Sequence, residues 1–439
     1  MKLLKYMVCL LMCLVFCFGT STAILAASEP AQVLNVYNWG VYMDTGDGEE
    51  NGAYYDEASS KDVNKAFEEW YKQTYGITIQ VNYSTFENNE SMYQKLVAGG
   101  AAYDILVPSD YMVNRLIREE RLEKLDFSKI PNYQYIDEMF KGEEWQYDPT
   151  HEYTVPYMWG YVGIVYNPDF VTGEVNSWDV LWDEAYAGKI LMFNNPRDTF
   201  MVALGKNGYS LNSQNSAEWE QAYEDLVAQK PLVQGYVTDE VFDKMANGEA
   251  YLAPCYYGDY MIMKAQAEET GVNLSFGWIN NQPTNKFVDS FCVPKGCQNM
   301  EAALRYIDFM CSYEIGVANA NYTGYASPLT TVWKNNDGQG PLYYHYANDP
   351  GTYFLAGRSG NRYEEYLYLG LTTQSIMDNY WKDLKKSQIS IWVYVAIGVV
   401  LGAVAGILIY RKYRKKTQAI LQEQARRNYD EKVKHKGKK

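Results

Sequence analysis

The stretch "KDVNKAFEEWYKQTYG", Lys61 to Gly76, runs directly into "ITIQVNYST", Ile77 to Thr85, and this junction sets the fold class. Val63, Phe67, Trp70 and Tyr71 share one helical face and Gly76 offers a stop, so the spacing predicts an amphipathic helix. The residues that follow alternate apolar and polar, the period of a strand with one buried face. The same alternation of elements continues along the chain. "SMYQKLVAGG" reads as a short helix with a glycine end, "YDILVPSDY" as an apolar strand entering a loop, and "MVNRLIREERL" and "EAALRYIDFMCSYE" as amphipathic helices. Helices and strands interleaved in this way predict an α/β architecture.

The ends of the chain predict export. Lys2 and Lys5 precede the apolar run "YMVCLLMCLVFCF", and small residues follow it, the pattern of a signal peptide spanning 1–27. "ISIWVYVAIGVVLGAVAGILIY", Ile389 to Tyr410, carries no charge and is followed at once by "RKYRKK". A run of this length suits one transmembrane helix (389–410), since a span takes about 20 residues. The positive-inside rule then places a basic cytoplasmic tail at 411–439 and everything before the span outside the cell membrane. The exported part, 28–387, is long enough for two lobes.

The chain as a whole carries a net charge of −15. Because the tail is strongly basic, the exported part is more acidic still, which disfavours nucleic acid and favours cationic ligands. Three of the seven cysteines lie in the leader. Cys255, Cys292, Cys297 and Cys311 remain, either as buried thiols or with "CVPKGC" closing a small Cys292–Cys297 loop. With three histidines and no Cys-x-x-Cys pair, the sequence offers little for zinc or histidine catalysis, and no cofactor is expected. Asp47, Glu49 and Asn51, with Gly52 after them, form a partial calcium-loop pattern whose last ligand position is Ala58. The stretch 44–57 therefore reads as a solvated acidic insertion.

Seven segments share one composition, aromatic residues beside a carboxylate or amide at the edge of an element. They are "YNWGVY", "VPSDYM", "VPYMWGYVG", "FNNPRD", "PCYYGDY", "FVDSF" and "GYASP". Tyr and Trp faces attract ammonium groups, and carboxylates add charge-assisted hydrogen bonds to them. A flexible diamine or triamine is served by this combination. Tyr37 reads as core packing, Trp159 as either core or cleft, and Glu87 and Glu90 as solvated or capping.

In order and composition these segments resemble the spermidine/putrescine-binding proteins of bacterial polyamine ABC importers, from about Leu34 to Leu384. The quoted matches are "YNWGVY", "STFENNESMYQKL", "YDILVPSDYMV", "VPYMWGYVGIVYN", "SWDVLWDEAYAGKILM", "VDSFCVP" and "TGYASP". The resemblance implies a two-lobed type II periplasmic-binding fold with an interlobe cleft. Lobe 1 would take approximately 33–157 and 290–340, and lobe 2 approximately 158–288, with 341–387 packing across. It also implies a polyamine ligand and an ABC permease with its ATPase as partners, binding rather than catalysis, and no nucleic acid.

Carried over residue by residue, the resemblance implies Trp39 and Tyr42 on the first lobe's side of the cleft, with Ser109 and Tyr111 near an amine. Asp289 would be the main ammonium anchor, although it could instead brace a hinge, and Tyr325 falls on the family's late tyrosine. Phe287 and Tyr256 stand where tryptophans are common. In "NNPRD" the family often has two acids, and here the pair is Asn195 and Asp198. Gly40 and Val41 replace polar residues. Two acids, Asp198 and Asp289, suit a diamine such as putrescine, and Asp259 offers a third. A related binding protein for a sugar, or an exported hydrolase using paired carboxylates, are the alternative readings.

Overall fold

A computed structural model describes residues 32–46, 61–99, 102–142, 145–333, 362–386 and 391–436. The expected leader, most of the acidic insertion and residues 341–361 lie outside the described residues. Two compact units divide the chain, 1–381 and 382–439.

The opening helix forms over Val63–Tyr75, its N-terminus capped by Asp62, whose side chain accepts from Lys65 N. Gly76 closes it in the left-handed conformation at φ 72°, which a residue without Cβ adopts at least cost. Phe67, wholly buried, packs edge-on to Tyr306 at 5.0 Å between ring centroids. Asp44 pins the two ends of the acidic insertion together: its side chain accepts from Gly46 N and Lys61 N, and its carbonyl accepts from Val63 N.

The strands are β1 (Gln32–Trp39), β2 (Ile79–Phe86), β3 (Ile105–Leu106), β4 (Thr154–Tyr166), β5 (Ile190–Phe193), β6 (Val233–Val237), β7 (Leu252–Tyr256), β8 (Ser275–Gly277), β9 (Pro283–Cys292) and β10 (Arg362–Glu364). They join in the order β2-β1-β3-β9-β4-β7-β5-β6, with β10 on β9 and β8 on β4. β1 runs parallel to β2 and β3, and β5 parallel to β6 and β7. These are two parallel half-sheets.

β4 and β9 connect them. Thr154–Tyr161 pairs antiparallel with β9, through an irregularity between Pro156 and Met158, while Val162–Tyr166 pairs with β7. A strand shared in this way is covered on both faces, which explains why β4 is buried from Thr154 to Val165 and alternates little. Trp159 is core: it is 1 % exposed and packs against Phe140 and Tyr161. This two-lobed α/β arrangement is the one expected.

The four cysteines outside the leader are free thiols. The "CVPKGC" loop is held by hydrogen bonds to Asp104, which accepts from Gln298 N, Asn299 N and Cys297 Sγ. Beyond the first unit, Ile391–Lys436 forms one helix. Among the described residues no helix is long and apolar enough to cross a membrane. The side chains of 391–398, part of the expected span, lie outside the described set, so the described residues do not support that span.

Candidate functional site

In open parallel sheets the crevice beyond the carboxyl ends of the strands is where ligands bind. Here Trp39, Phe86, Phe193, Val237 and Tyr256, the last residues of β1, β2, β5, β6 and β7, all line one cavity of about 400 Å³. That volume falls in the usual range for small-molecule sites. All ten residues expected at a site line it: Trp39, Tyr42, Ser109, Tyr111, Asn195, Asp198, Tyr256, Phe287, Asp289 and Tyr325. So do Glu87, Glu90, Asp239, Asp259 and Tyr366, and among the described lining residues there is no Lys, Arg or His.

The turn after β1 brings Tyr42 into place. Val41 sits at φ 48°, a left-handed conformation that a β-branched residue adopts only against strain. Tyr42 then packs edge-on to Tyr325 at 5.2 Å and Tyr157 at 5.6 Å, and its phenol donates to Asp289 Oδ2 at 2.5 Å. Tyr157, on β4, donates to the Tyr42 carbonyl at 2.7 Å, fixing that turn to the crossing strand. Tyr37, by contrast, is 1 % exposed and stacks on Tyr103 at 4.3 Å, a packing role.

Three further carboxylates lining the cavity, Asp198, Asp259 and Glu90, also accept from phenols. Tyr256 donates to Asp198 Oδ2, and Tyr366 donates to Asp198 Oδ1 at 2.9 Å. Tyr325 donates to Asp259 Oδ1 at 2.5 Å and Tyr111 to Glu90 Oε1 at 2.9 Å. Asn195 caps the helix Pro196–Lys206 through Oδ1, and its amide donates to Asp198 at 2.8 Å. Lacking charge, Asn195 thus serves Asp198 as a donor. Asp198 accepts from three donors, two on Oδ2 and one on Oδ1, which leaves one acceptor position on Oδ1, whereas Asp289 Oδ1 is buried with no hydrogen-bond partner. Ser109 lies beside Asp289, the two residues forming an isolated β-bridge. Its hydroxyl favours the Asp289 carboxylate without reaching standard hydrogen-bond geometry to Oδ1.

So many acids in one place require compensation, and helix ends provide part of it. Glu90, Asp110, Asp198 and Asp259 each lie in the first turn of a helix, where the backbone dipole favours negative charge. Compensation is incomplete. Burial pushes the Asp259 carboxyl up to about 7 against the pull of the Tyr325 phenol. Burial likewise raises Asp289 to about 6, with Ser109 and Tyr42 opposing and Asp198 adding to the rise. Asp198, Glu90 and Asp239 are also raised, in each case chiefly by burial. A site left short of positive charge in this way is complementary to a cation.

The aromatic walls are continuous. Phe287 touches both Tyr256 and Tyr325, at 5.4 and 5.9 Å, and Trp39 leans on Phe86 at 4.7 Å. Gly258 makes room for Tyr325: a Cβ there would meet the ring at 2.3 Å. Sequence reasoning missed Tyr366 altogether, and it set Glu87 and Glu90 aside as solvated or capping although both line the cavity. The signal for Glu90 is its place in the first turn after the carboxyl end of β2. For Tyr366 no local signal exists, because it reaches the site from a segment far along the chain.

Comparison with known proteins agrees with this architecture. The family model described as "Bacterial extracellular solute-binding protein" matches residues 63–341. The spermidine/putrescine-binding periplasmic protein of Salmonella typhimurium is 31 % identical over 305 residues, covering 69 % of this chain and 79 % of that protein. The putrescine-binding periplasmic protein SpuD of Pseudomonas aeruginosa is 29 % identical over 335 residues, 72 % and 85 % of the two chains. Among solved structures, the spermidine/putrescine ABC transporter substrate-binding protein PotD of Streptococcus pneumoniae superposes with a TM-score of 0.61 at 28 % identity, covering 81 % of this chain and 100 % of that one. The chain belongs to the bacterial extracellular solute-binding protein family.

Proposed function

We propose that this protein is the extracytoplasmic substrate-binding component of an ABC importer and captures polyamines, putrescine or spermidine, for delivery to a membrane permease and its ATPase. One observation carries the proposal: a cavity lined by Glu87, Glu90, Asp110, Asp198, Asp239, Asp259 and Asp289, walled by aromatic rings and without a basic residue among its described lining. The similarity to polyamine-binding proteins supports the same ligand class. Its role is binding, as in its family, and not catalysis.

The ten residues expected from the sequence form the ligand site in this reading. Asp289 and Asp259 anchor ammonium groups, Asp198 serves the remaining amine, and Trp39, Tyr42, Tyr256, Phe287 and Tyr325 enclose the methylenes. Lobe 1 comprises approximately 33–157 and 290–340, lobe 2 approximately 158–288, and the chain crosses between them near Tyr157 and Asp289. Ligand that touches both lobes binds the closed form better and shifts the hinge equilibrium toward it. The closed form is what docks on the permease. The uncharged segment Ile389–Tyr410 crosses the membrane, with its basic flank inside, and holds the receptor near that permease at raised effective concentration.

A thermal-shift panel tests the ligand class. Putrescine and spermidine should raise the melting temperature of the purified protein in proportion to the logarithm of their concentration. Neutral sugars should leave it unchanged. A sugar response with polyamine silence contradicts the proposal.

A further inference from the structure

Behind the tyrosine wall sits Arg197, 1 % exposed and among the largest fully buried side chains of the protein. Buried guanidinium groups are ordinarily paired with a carboxylate, because desolvating an unpaired charge is expensive. Arg197 makes no ion pair with any described residue. Its Nη1 donates to the Leu211 carbonyl at 2.8 Å, and its Nη2 to Asn212 Oδ1 at 2.8 Å and, more weakly, to the Leu367 carbonyl at 3.4 Å. Its Nε has no partner. The guanidinium carbon lies 4.1 Å from the centroid of the Tyr366 ring and 5.7 Å from that of Tyr111.

These contacts join three parts of the site. Asn212 receives the guanidinium and in turn holds the segment after β10, accepting from Leu367 N and donating to the Glu365 carbonyl, both at 2.8 Å. Tyr366, stacked on the cation, spends its hydroxyl on Asp198 Oδ1. A cation over a phenol ring strengthens that hydroxyl as a donor and draws the ring into one position. Removing the guanidinium would relieve a desolvated charge but leave the Leu211 carbonyl without its donor, so the stability of the empty protein does not by itself reveal what Arg197 does for the site.

We infer that Arg197 is a positioning residue for ligand capture, holding Tyr366 and the 365–367 backbone so that Asp198 faces the cleft as an oriented carboxylate acceptor. It rests on the polyamine reading, because the acceptor matters only if the ligand is cationic. Groups facing Asp198 from the surrounding elements are Tyr256 on β7, Tyr366 on the segment after β10, Asn195 and Arg197 on its own helix, and, at longer range, Glu90, Asp289 and Tyr111. Of these, Arg197 alone is positive, so its removal shifts the Asp198 ionisation upward.

The test is putrescine and spermidine titration of the full chain at about pH 6 and about pH 8.5, for wild type, Arg197→Met and Arg197→Lys, with melting temperatures of the empty proteins measured alongside. Whatever its melting temperature, folded Arg197→Met should lose affinity by at least about tenfold at the lower pH, the equivalent of one pKa unit, and by clearly less at the higher. Arg197→Lys, which keeps the charge but not the fork, should lose affinity by a similar factor at both values. If Arg197→Met does not fold, Tyr366→Phe takes its place. That variant keeps the stacked ring and removes only the donor to Asp198, and it should show the same pH-dependent loss. Equal loss at both values in Arg197→Met or Tyr366→Phe, or none, overturns the inference. A wild type that takes up no amine at either value overturns the polyamine reading and this inference with it, whereas wild-type uptake with unchanged variants overturns the inference alone.

Discussion

The Tyr42 phenol donates to one oxygen of Asp289 at 2.5 Å, and the other oxygen of that carboxylate is buried in the cleft without a partner. Orientation is thus fixed by one half of the group while the other half stays open. An unsatisfied buried acceptor costs about 1–3 kcal/mol, more when charged. A ligand ammonium that reaches Oδ1 would recover that penalty, which is the basis for proposing Asp289 as the anchor.

Asp289→Asn should therefore weaken polyamine binding by about 1.5–3 kcal/mol, the worth of a charge-assisted hydrogen bond. Because the variant removes a buried charge, the empty protein should be at least as stable near pH 8 as the wild type. Calorimetric titration and thermal denaturation check the two halves. An unchanged dissociation constant removes Asp289 from the site.

Binding and stability should respond to pH in opposite directions. Asp289 and Asp259, raised to about 6 and about 7, are protonated more readily in the folded protein than in the unfolded chain. Between the ordinary carboxylate range and these values the folded state holds more protons, so stability of the empty protein falls as pH rises through this window. Ammonium groups bind the ionised carboxylates, so affinity should rise over the same window. Melting curves and titrations at intervals between about pH 5 and pH 8.5 test both signs. An affinity that is flat across this range contradicts the assignment of these two acids to the ligand.

Gly258→Ala should damage binding through geometry alone. Its Cβ would meet the Tyr325 ring at 2.3 Å, and the ring cannot withdraw without surrendering the hydrogen bond of its phenol to Asp259. Affinity should fall by about tenfold or more, since misplaced contacts of this kind cost at least the worth of one hydrogen bond. Retained affinity shows that Tyr325 does not contact the ligand.

Tyr37 and Trp39 should separate by phenotype. Tyr37→Ala removes a fully buried ring and should destabilise the protein by about 3–5 kcal/mol with little effect on affinity in the molecules that remain folded. Trp39→Ala, at the cavity wall, should weaken binding by more than it lowers the melting temperature. Urea denaturation beside calorimetry distinguishes them, and a reversal of the two phenotypes contradicts the division of this strand between core and cleft.

Much of this was legible in the sequence because it is written locally. Helix spacing from Val63 to Tyr71, the glycine stop at Gly76 and the alternation after it reproduce the observed helix and β2. The aromatic–acid segments mark strand ends because a strand stops serving the core where it meets the crevice. That is why Trp39, Tyr256 and the Asn195–Asp198 pair all fall on the cavity wall. Tyr366 was not legible in this way, since it depends on a chain segment returning over the site, and neither periodicity nor composition encodes that return. Glu90 reads as solvated or capping from its helical turn alone, and only that turn's place beyond the carboxyl end of β2 sets it on the cavity wall. The cysteines show the same limit, where Asp104, distant in sequence, closes the Cys292–Cys297 loop without a disulfide.

The most direct measurement of the central claim is calorimetric titration of the purified protein with putrescine and spermidine near pH 8, beside a neutral sugar control. The account predicts saturable binding of an amine with one ligand per chain, abolished or strongly weakened in Asp289→Asn, and no heat from the sugar. Saturable sugar binding with no response to either amine contradicts it.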